Sequence, residues 1–220
     1  MPGLGSALPL MQIKPTVMKP KNSLSRIFLL AAVAALGLIA LPFHTQAQAT
    51  YTLVPKAPLF LKVLGSSNVH DWEMASATMQ SQGDFKFDGK NTLTSINAFQ
   101  LSVDAKTLKS NHSSLDNRAY KVMKAADHPK IVYNLRSTDI TTVSKNKYLV
   151  KALGDLTIGG VKKSISMNVN VVVNADNSIT CTGSEKLKLS DYNIAPPSYM
   201  AGTMKVGNDL TIEFAQTYRK

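Results

Sequence analysis

The sequence predicts an all-β protein with one inserted helix, an antiparallel barrel or sandwich of about eight to ten strands. Three observations carry this prediction. Beyond residue 49, apolar residues recur at every second position through most of the chain, the period of strands with one buried face. Turn-forming clusters interrupt these runs at residues 88–89, 159–160, 174–178, 196–197 and 207–209, a spacing that favours hairpins over crossover helices. Only the segment 113–129 departs from this pattern, with helical spacing.

In chain order, the first 49 of the 220 residues read as an export signal and are set apart from the fold. Lys14, Lys19, Lys21 and Arg26 form a basic region without acids, followed by the apolar run Ile27 to Phe43 and a small-x-small site at Ala47-Gln48-Ala49. Cleavage is expected after Ala49, and Met18 begins a signal of more ordinary length. The alternative is a single membrane anchor, since 17 apolar residues lie at the lower edge of a bilayer span. Pro42 and the A-x-A that follows favour cleavage. The expected product is a soluble periplasmic or secreted domain of residues 50–220.

Within that domain GDFKFDG offers Phe85 and Phe87, and FQLSVDA offers Phe99, Leu101 and Val103. The helical segment SSLDNRAYKVMKAADHP aligns Leu115, Ala119, Val122, Met123 and Ala126, with Ser114 and Asp116 at its start and Pro129 beyond its end. KIVYNL supplies Ile131, Tyr133 and Leu135; YLVKALGDLTI supplies Tyr148, Val150 and Ala152, then Leu156 and Ile158 after Gly154. SISMNVNVVV alternates throughout, with Ile165, Met167, Val169, Val171 and Val173 on one face. DLTIEF repeats the pattern through Leu210, Ile212 and Phe214. The polar opposite faces argue for antiparallel sheet with one side in water.

Charge and cysteine content exclude some functions. Four of the 25 Lys and Arg fall in the signal, so 21 remain against 14 Asp and Glu, about +7 for the mature chain. That charge is scattered, without the basic stripe a nucleic-acid partner needs, and supports only weak, transient attraction to an anionic membrane. Cys181 is the sole cysteine, so no intramolecular disulfide is available and a buried thiol is expected.

The chemically richest stretch is LGSSNVHDWEM, residues 64–74, with His70, Asp71 and the only tryptophan, Trp72. In a strand, adjacent side chains point to opposite faces, and the chain has no G-x-S-x-G motif. Catalysis is therefore not expected; a polar strand end and turn, with Trp72 as apolar wall, is. His112, Asp116 and His128 are too few and too far apart for a metal site, and none is expected.

Three stretches in order resemble the YceI-like proteins, exported lipocalin-like polyisoprenoid-binding proteins. These are LDNRAYKVMKAADHPKIVYNL (115–135), VKALGDLTIGGVKKSISMNVNV (150–171) and VGNDLTIEF (206–214). The opening stretch departs from the family's serine-histidine-serine pattern. The resemblance implies an extended lipocalin-like barrel of about eight strands, enclosing a long apolar ligand such as a polyisoprenoid, an isoprenoid quinone or a fatty-acyl amide. No other cofactor is implied; pairing of two copies is. Under this reading the ligand would meet Trp72, Phe85, Phe87, Leu101, Val103, Val122, Met123, Ile131, Tyr133, Leu156, Ile158 and Met167. The function would be lipid sequestration or transport. Two rivals stay open: an envelope protein with a filled barrel acting through its surface, and a hydrolase using His70.

Overall fold

The computed structural model describes residues 49–55 and 59–220, within the compact unit Ala47–Lys220. The expected export segment, with its alternative start at Met18, lies outside the described residues up to residue 48. The strands are β1 (Thr50–Leu53), β2 (Phe60–Ser67), β3 (Trp72–Ser76), β4 (Gln80–Phe87), β5 (Leu93–Asp104) and β6 (Lys130–Ser144). They continue with β7 (Lys147–Ile158), β8 (Val161–Val173), β9 (Ile179–Lys188), β10 (Ser198–Tyr199) and β11 (Met204–Arg219). Helix α1 (Ser113–Val122) lies between β5 and β6.

The antiparallel ladders run β1–β4–β5–β6–β7–β8–β9–β11, and β11 returns to β1, so eight strands close into a barrel. Closure satisfies backbone groups that an open sheet would leave at its edges. The β2–β3 hairpin adds to β11 along its other half, from Val206 to Ala215. From there β3 reaches the chain after β5 through paired 2.8 Å bonds between Ala75 and Lys109. The wall beside β11 is thus completed by β1 along one part of the strand and by the hairpin along the other.

Alternation translates directly into burial. In β7, Tyr148, Val150, Ala152, Gly154 and Leu156 are buried, whereas Lys147, Leu149, Lys151 and Leu153 are exposed. At the β1 end an aromatic cluster fills the barrel: Phe85 lies 5.3 Å from Tyr51 and 5.7 Å from Tyr218, which also meets Phe99 at 5.7 Å. Such edge and tilted ring contacts suit the charge distribution of aromatic faces. Val150, Val171 and Ile179 complete this packed end.

Three expectations about local structure are corrected. The helix ends at Val122 rather than near residue 128. Lys124 adopts φ +53°, its N–H bonds Lys121 O, and Ala125 N–H reaches back to Tyr120 O at 2.9 Å, a Schellman termination that uses lysine in the usual glycine position. Ala125, 3% exposed, is thereby tucked inside. Residues 207–209, expected as a turn, lie inside β11 at an irregularity between Val206 and Leu210. There Asn208 accepts the Ser190 N–H at 2.9 Å and so tethers the 3-10 turn Leu189–Tyr192. His70 and Asp71 occupy the β2–β3 connection rather than a strand, and His70 Nδ1 sits 2.9 Å from the Asp71 carbonyl.

The β8–β9 turn carries a pH-sensitive contact. Hydrogen bonds from the Ser178 hydroxyl and N–H, with a smaller contribution from Arg219, hold the Asp176 carboxyl down at about 2. Its folded pKa lies below the unfolded value of about 3.9, so its stabilisation is complete above that value and lost as pH falls through about 2. The melting temperature is expected to fall more steeply between about pH 4 and pH 2 in the wild type than in Asp176→Asn. Parallel curves would show that Asp176 takes no part in the acid response.

Candidate functional site

Away from the aromatic cluster the inward residues are mainly Leu, Ile, Val and Met, and they do not fill the barrel. Two apolar cavities of about 110 Å³ each remain. The inner one is bounded by Phe99, Leu101, Val103, Tyr133, Ala152, Leu156, Ile165, Met167, Val169, Cys181, Phe214 and Gln216, among others. The outer one lies beneath α1 and the 189–199 segment, against Trp72, Met74, Leu108, Leu115, Val122, Met123, Ile158, Tyr192, Ile194 and Tyr199. Leu61, Ile131, Leu187 and Ile212 line both, so the two spaces adjoin.

Ten of the twelve residues expected at a ligand line these cavities. Leu101, Val103, Tyr133, Leu156 and Met167 face the inner one, Trp72, Val122, Met123 and Ile158 the outer one, and Ile131 both. Phe85 and Phe87 do not: Phe85 belongs to the packed end, and Phe87 lies against it, 6.4 Å from Tyr51. Their strand, β4, pairs with β1 at that end, so their inward faces contribute to the plug. Sequence reasoning did not single out Tyr192 and Ile194, which follow no strand period, or Glu185 and Gln216, polar residues on inward positions.

Close backbone approach shapes the walls. The Trp72 ring covers Gly65, where an added Cβ would lie 2.1 Å from a ring carbon, and its indole N–H donates to the Ser66 carbonyl at 3.1 Å. Likewise Tyr133 lies over Gly154, the glycine of the ALGDLTI stretch. Beyond Gln216, a polar chain leads into the packed end: Tyr218 donates to Gln216 Oε1 at 2.5 Å and lies 2.9 Å from the Ser81 hydroxyl.

Burial governs the titratable groups of the lining. Burial pushes the Cys181 thiol up to about 12, so it stays protonated. Burial also pushes Tyr133 and Tyr192 up to about 12. Asp116, near the helix start, feels the opposing effect of burial, but two 2.7 Å bonds from Ser110, with Lys109 nearby, bring its carboxyl below the usual range. Among the described residues, no three His, Cys, Asp or Glu side chains converge to hold a metal.

At the mouth, Arg118 of α1 stacks on the Tyr199 ring at 4.1 Å, pinning the helix to the segment opposite. Asn68 bonds Thr203 O and the Lys205 N–H, each at 2.7 Å, and ties the β2–β3 turn to the loop before β11.

A closed antiparallel barrel with an inserted helix and an apolar, partly empty interior defines a class of barrel proteins with internal space. Within that class the chain belongs to the YceI-like domain family, whose model matches residues 62–218. Burkholderia cenocepacia BcnA shares the fold, with 20% identity over 75% of this chain and 98% of its own, and a TM-score of 0.57. A polyisoprenoid binding domain from Saccharophagus degradans, implicated in plant cell wall breakdown, gives 16% identity, 77% and 97% coverage and a TM-score of 0.58. No curated protein matches the chain in sequence.

Proposed function

We propose that this protein binds a long-chain apolar lipid inside its barrel and sequesters or carries it without catalysis, outside the cytoplasm after loss of its export segment. The observation that carries the reading is the pair of adjoining cavities with almost wholly apolar walls. Family membership supports it, as does the fold shared with a domain described as polyisoprenoid binding. A polyisoprenoid, the tail of an isoprenoid quinone and a fatty-acyl amide all suit such a space. Burial of each methylene contributes about 0.8 kcal/mol, so ten yield roughly 8 kcal/mol before the entropy of association is subtracted. Binding through tail area alone is therefore feasible. Met123 and Met167, unbranched and adaptable, suit a chain of irregular outline. Transient contact with a membrane would be enough to collect such a ligand.

The rival reading, a filled barrel acting through its surface, has less support because the space within the barrel and under α1 is unfilled. Organic extraction and native mass spectrometry of the protein purified from its own host test the choice. An isoprenoid or acyl chain is expected at about one per barrel. Protein that is empty and takes up no added lipid would sink the proposal.

A further inference from the structure

Three polar groups in the walls have no role in holding the barrel together. The hydroxyls of Tyr133 and Tyr192 are buried without a hydrogen-bond partner, although the residues are only 6% and 3% exposed. Both belong to one apolar cluster with Leu156 and Leu187, and they line the inner and outer cavities respectively. Glu185 lines the inner cavity from the inward phase of β9, shared with Cys181 and Leu187. It makes no hydrogen bond or ion pair among the described residues, its carboxyl is raised by burial, and its charge acts on Tyr192.

Glu185 and Tyr192 lie where the barrel wall is incomplete, and Tyr133 lines the inner cavity together with Glu185. The β8–β9 ladder extends only from Val173 opposite Ile179 to Val169 opposite Gly183. Past that point β8 continues on β7 alone and β9 on β11 alone. A seam is left between residues 161–168 and 184–188, with Glu185 on its edge and the 3-10 turn that carries Tyr192 packed against β8.

Buried hydroxyls without partners forfeit the hydrogen bonds they made in water, and a ligand that supplies partners recovers them. We propose that this seam is the subsite for the polar end of the ligand, and that this end is a neutral hydroxyl-bearing group, taken in preference to a phosphate or carboxylate. The inference rests on the lipid-binding reading above. A ligand hydroxyl accepts from a tyrosine O–H and donates to Glu185. An anion meets the Glu185 carboxylate instead. Of the cations that line the cavities, Arg118 is engaged on the Tyr199 ring and Lys188 with Asp209 at 2.5 Å, and Lys162, Lys163 and Lys186 of the strands beside the seam are exposed and line neither cavity.

The test compares one geranylgeranyl chain as free alcohol, as monophosphate and as hydrocarbon without a head group. Trp72 fluorescence reports binding to the purified full chain, and mass spectrometry checks the retained lipid. The alcohol is expected to bind about tenfold more tightly than the hydrocarbon, and the monophosphate more weakly than the alcohol by at least as much. Tyr133→Phe and Tyr192→Phe should each cut the alcohol's lead over the hydrocarbon severalfold without lowering the melting temperature, because no internal hydrogen bond is lost. Glu185→Gln should narrow the gap between alcohol and monophosphate. Equal binding of alcohol and hydrocarbon, or a monophosphate that binds as well as the alcohol, would overturn the subsite and leave lipid binding intact. Failure of all three probes would overturn the lipid reading itself.

Discussion

Ala152→Phe is expected to abolish binding of long chains while leaving the barrel folded. Ala152 is 6% exposed, points into the inner cavity from β7 and stands opposite Met167 of β8. A phenyl ring there would occupy much of a space of about 110 Å³. Excluding about four methylenes of ligand forfeits roughly 3 kcal/mol, a factor of more than about 100 in affinity. Overpacking a tight core costs about 1–3 kcal/mol, but here the ring enters existing space, so the loss of stability should lie at or below the lower bound. Ligands short enough to stay in the outer cavity should bind almost as before. Lys151→Phe, on the exposed face next door, is the control. Titration with acyl or isoprenoid chains of graded length separates the outcomes, and undiminished long-chain affinity in Ala152→Phe would mean that the inner cavity holds no ligand.

Gly154→Ala is expected to destabilise the fold and disturb the same cavity. An added Cβ would lie 2.4 Å from Cζ and Oη of Tyr133 and 2.6 Å from the Asn134 carbonyl oxygen. The ring can swing aside only into the inner cavity, and the carbonyl belongs to the β6–β7 ladder, where Asn134 stands opposite Asp155. A penalty of about 1–3 kcal/mol follows. For a chain of this size that lowers the melting temperature by about 3–10 °C. Adding Tyr133→Leu should recover part of the loss, because it removes the ring clash and leaves the backbone clash. Calorimetry of the two variants checks this, and an unchanged melting temperature in Gly154→Ala would show that the ring does not rest on the glycine. The motif glycine is thus explained by packing: it admits the hydroxyl end of the Tyr133 ring close to the strand.

Most of the architecture could be read from residue order. The alternation of Tyr148, Val150, Ala152 and Leu156, and of Ile165 through Val173, is a property of each strand alone, and the inward faces it assigns agree with the structure. Trp72 as wall also follows from the sequence, since the largest apolar side chain in a polar stretch has few other uses. The helix was readable in place but not in length. Its termination depends on Lys124 taking a left-handed conformation, so that Ala125 can bury against the body. That choice is tertiary.

Glu185 marks the limit most clearly. Its inward phase is present in ITCTGSEKLK, where Ile179, Cys181, Gly183 and Leu187 share it, yet a carboxylate in that register is ordinarily read as a departure from the pattern. Only the early end of the β8–β9 ladder, with Tyr192 brought in from a non-periodic turn, gives it surroundings with a chemical meaning. Phe85 and Leu101 present the same alternating signal, but one closes the barrel and the other borders empty space.

The sequence by itself determined the strand content, the inward faces, the place of the helix and the lack of an intramolecular disulfide, because each depends on residues near one another in the chain or on composition. The tertiary structure alone decided which end is packed, where the cavities lie, and that two unpartnered tyrosine hydroxyls and a glutamate border them. Those features depend on summed side-chain volume and on register between strands far apart in sequence, and neither is carried by any local period.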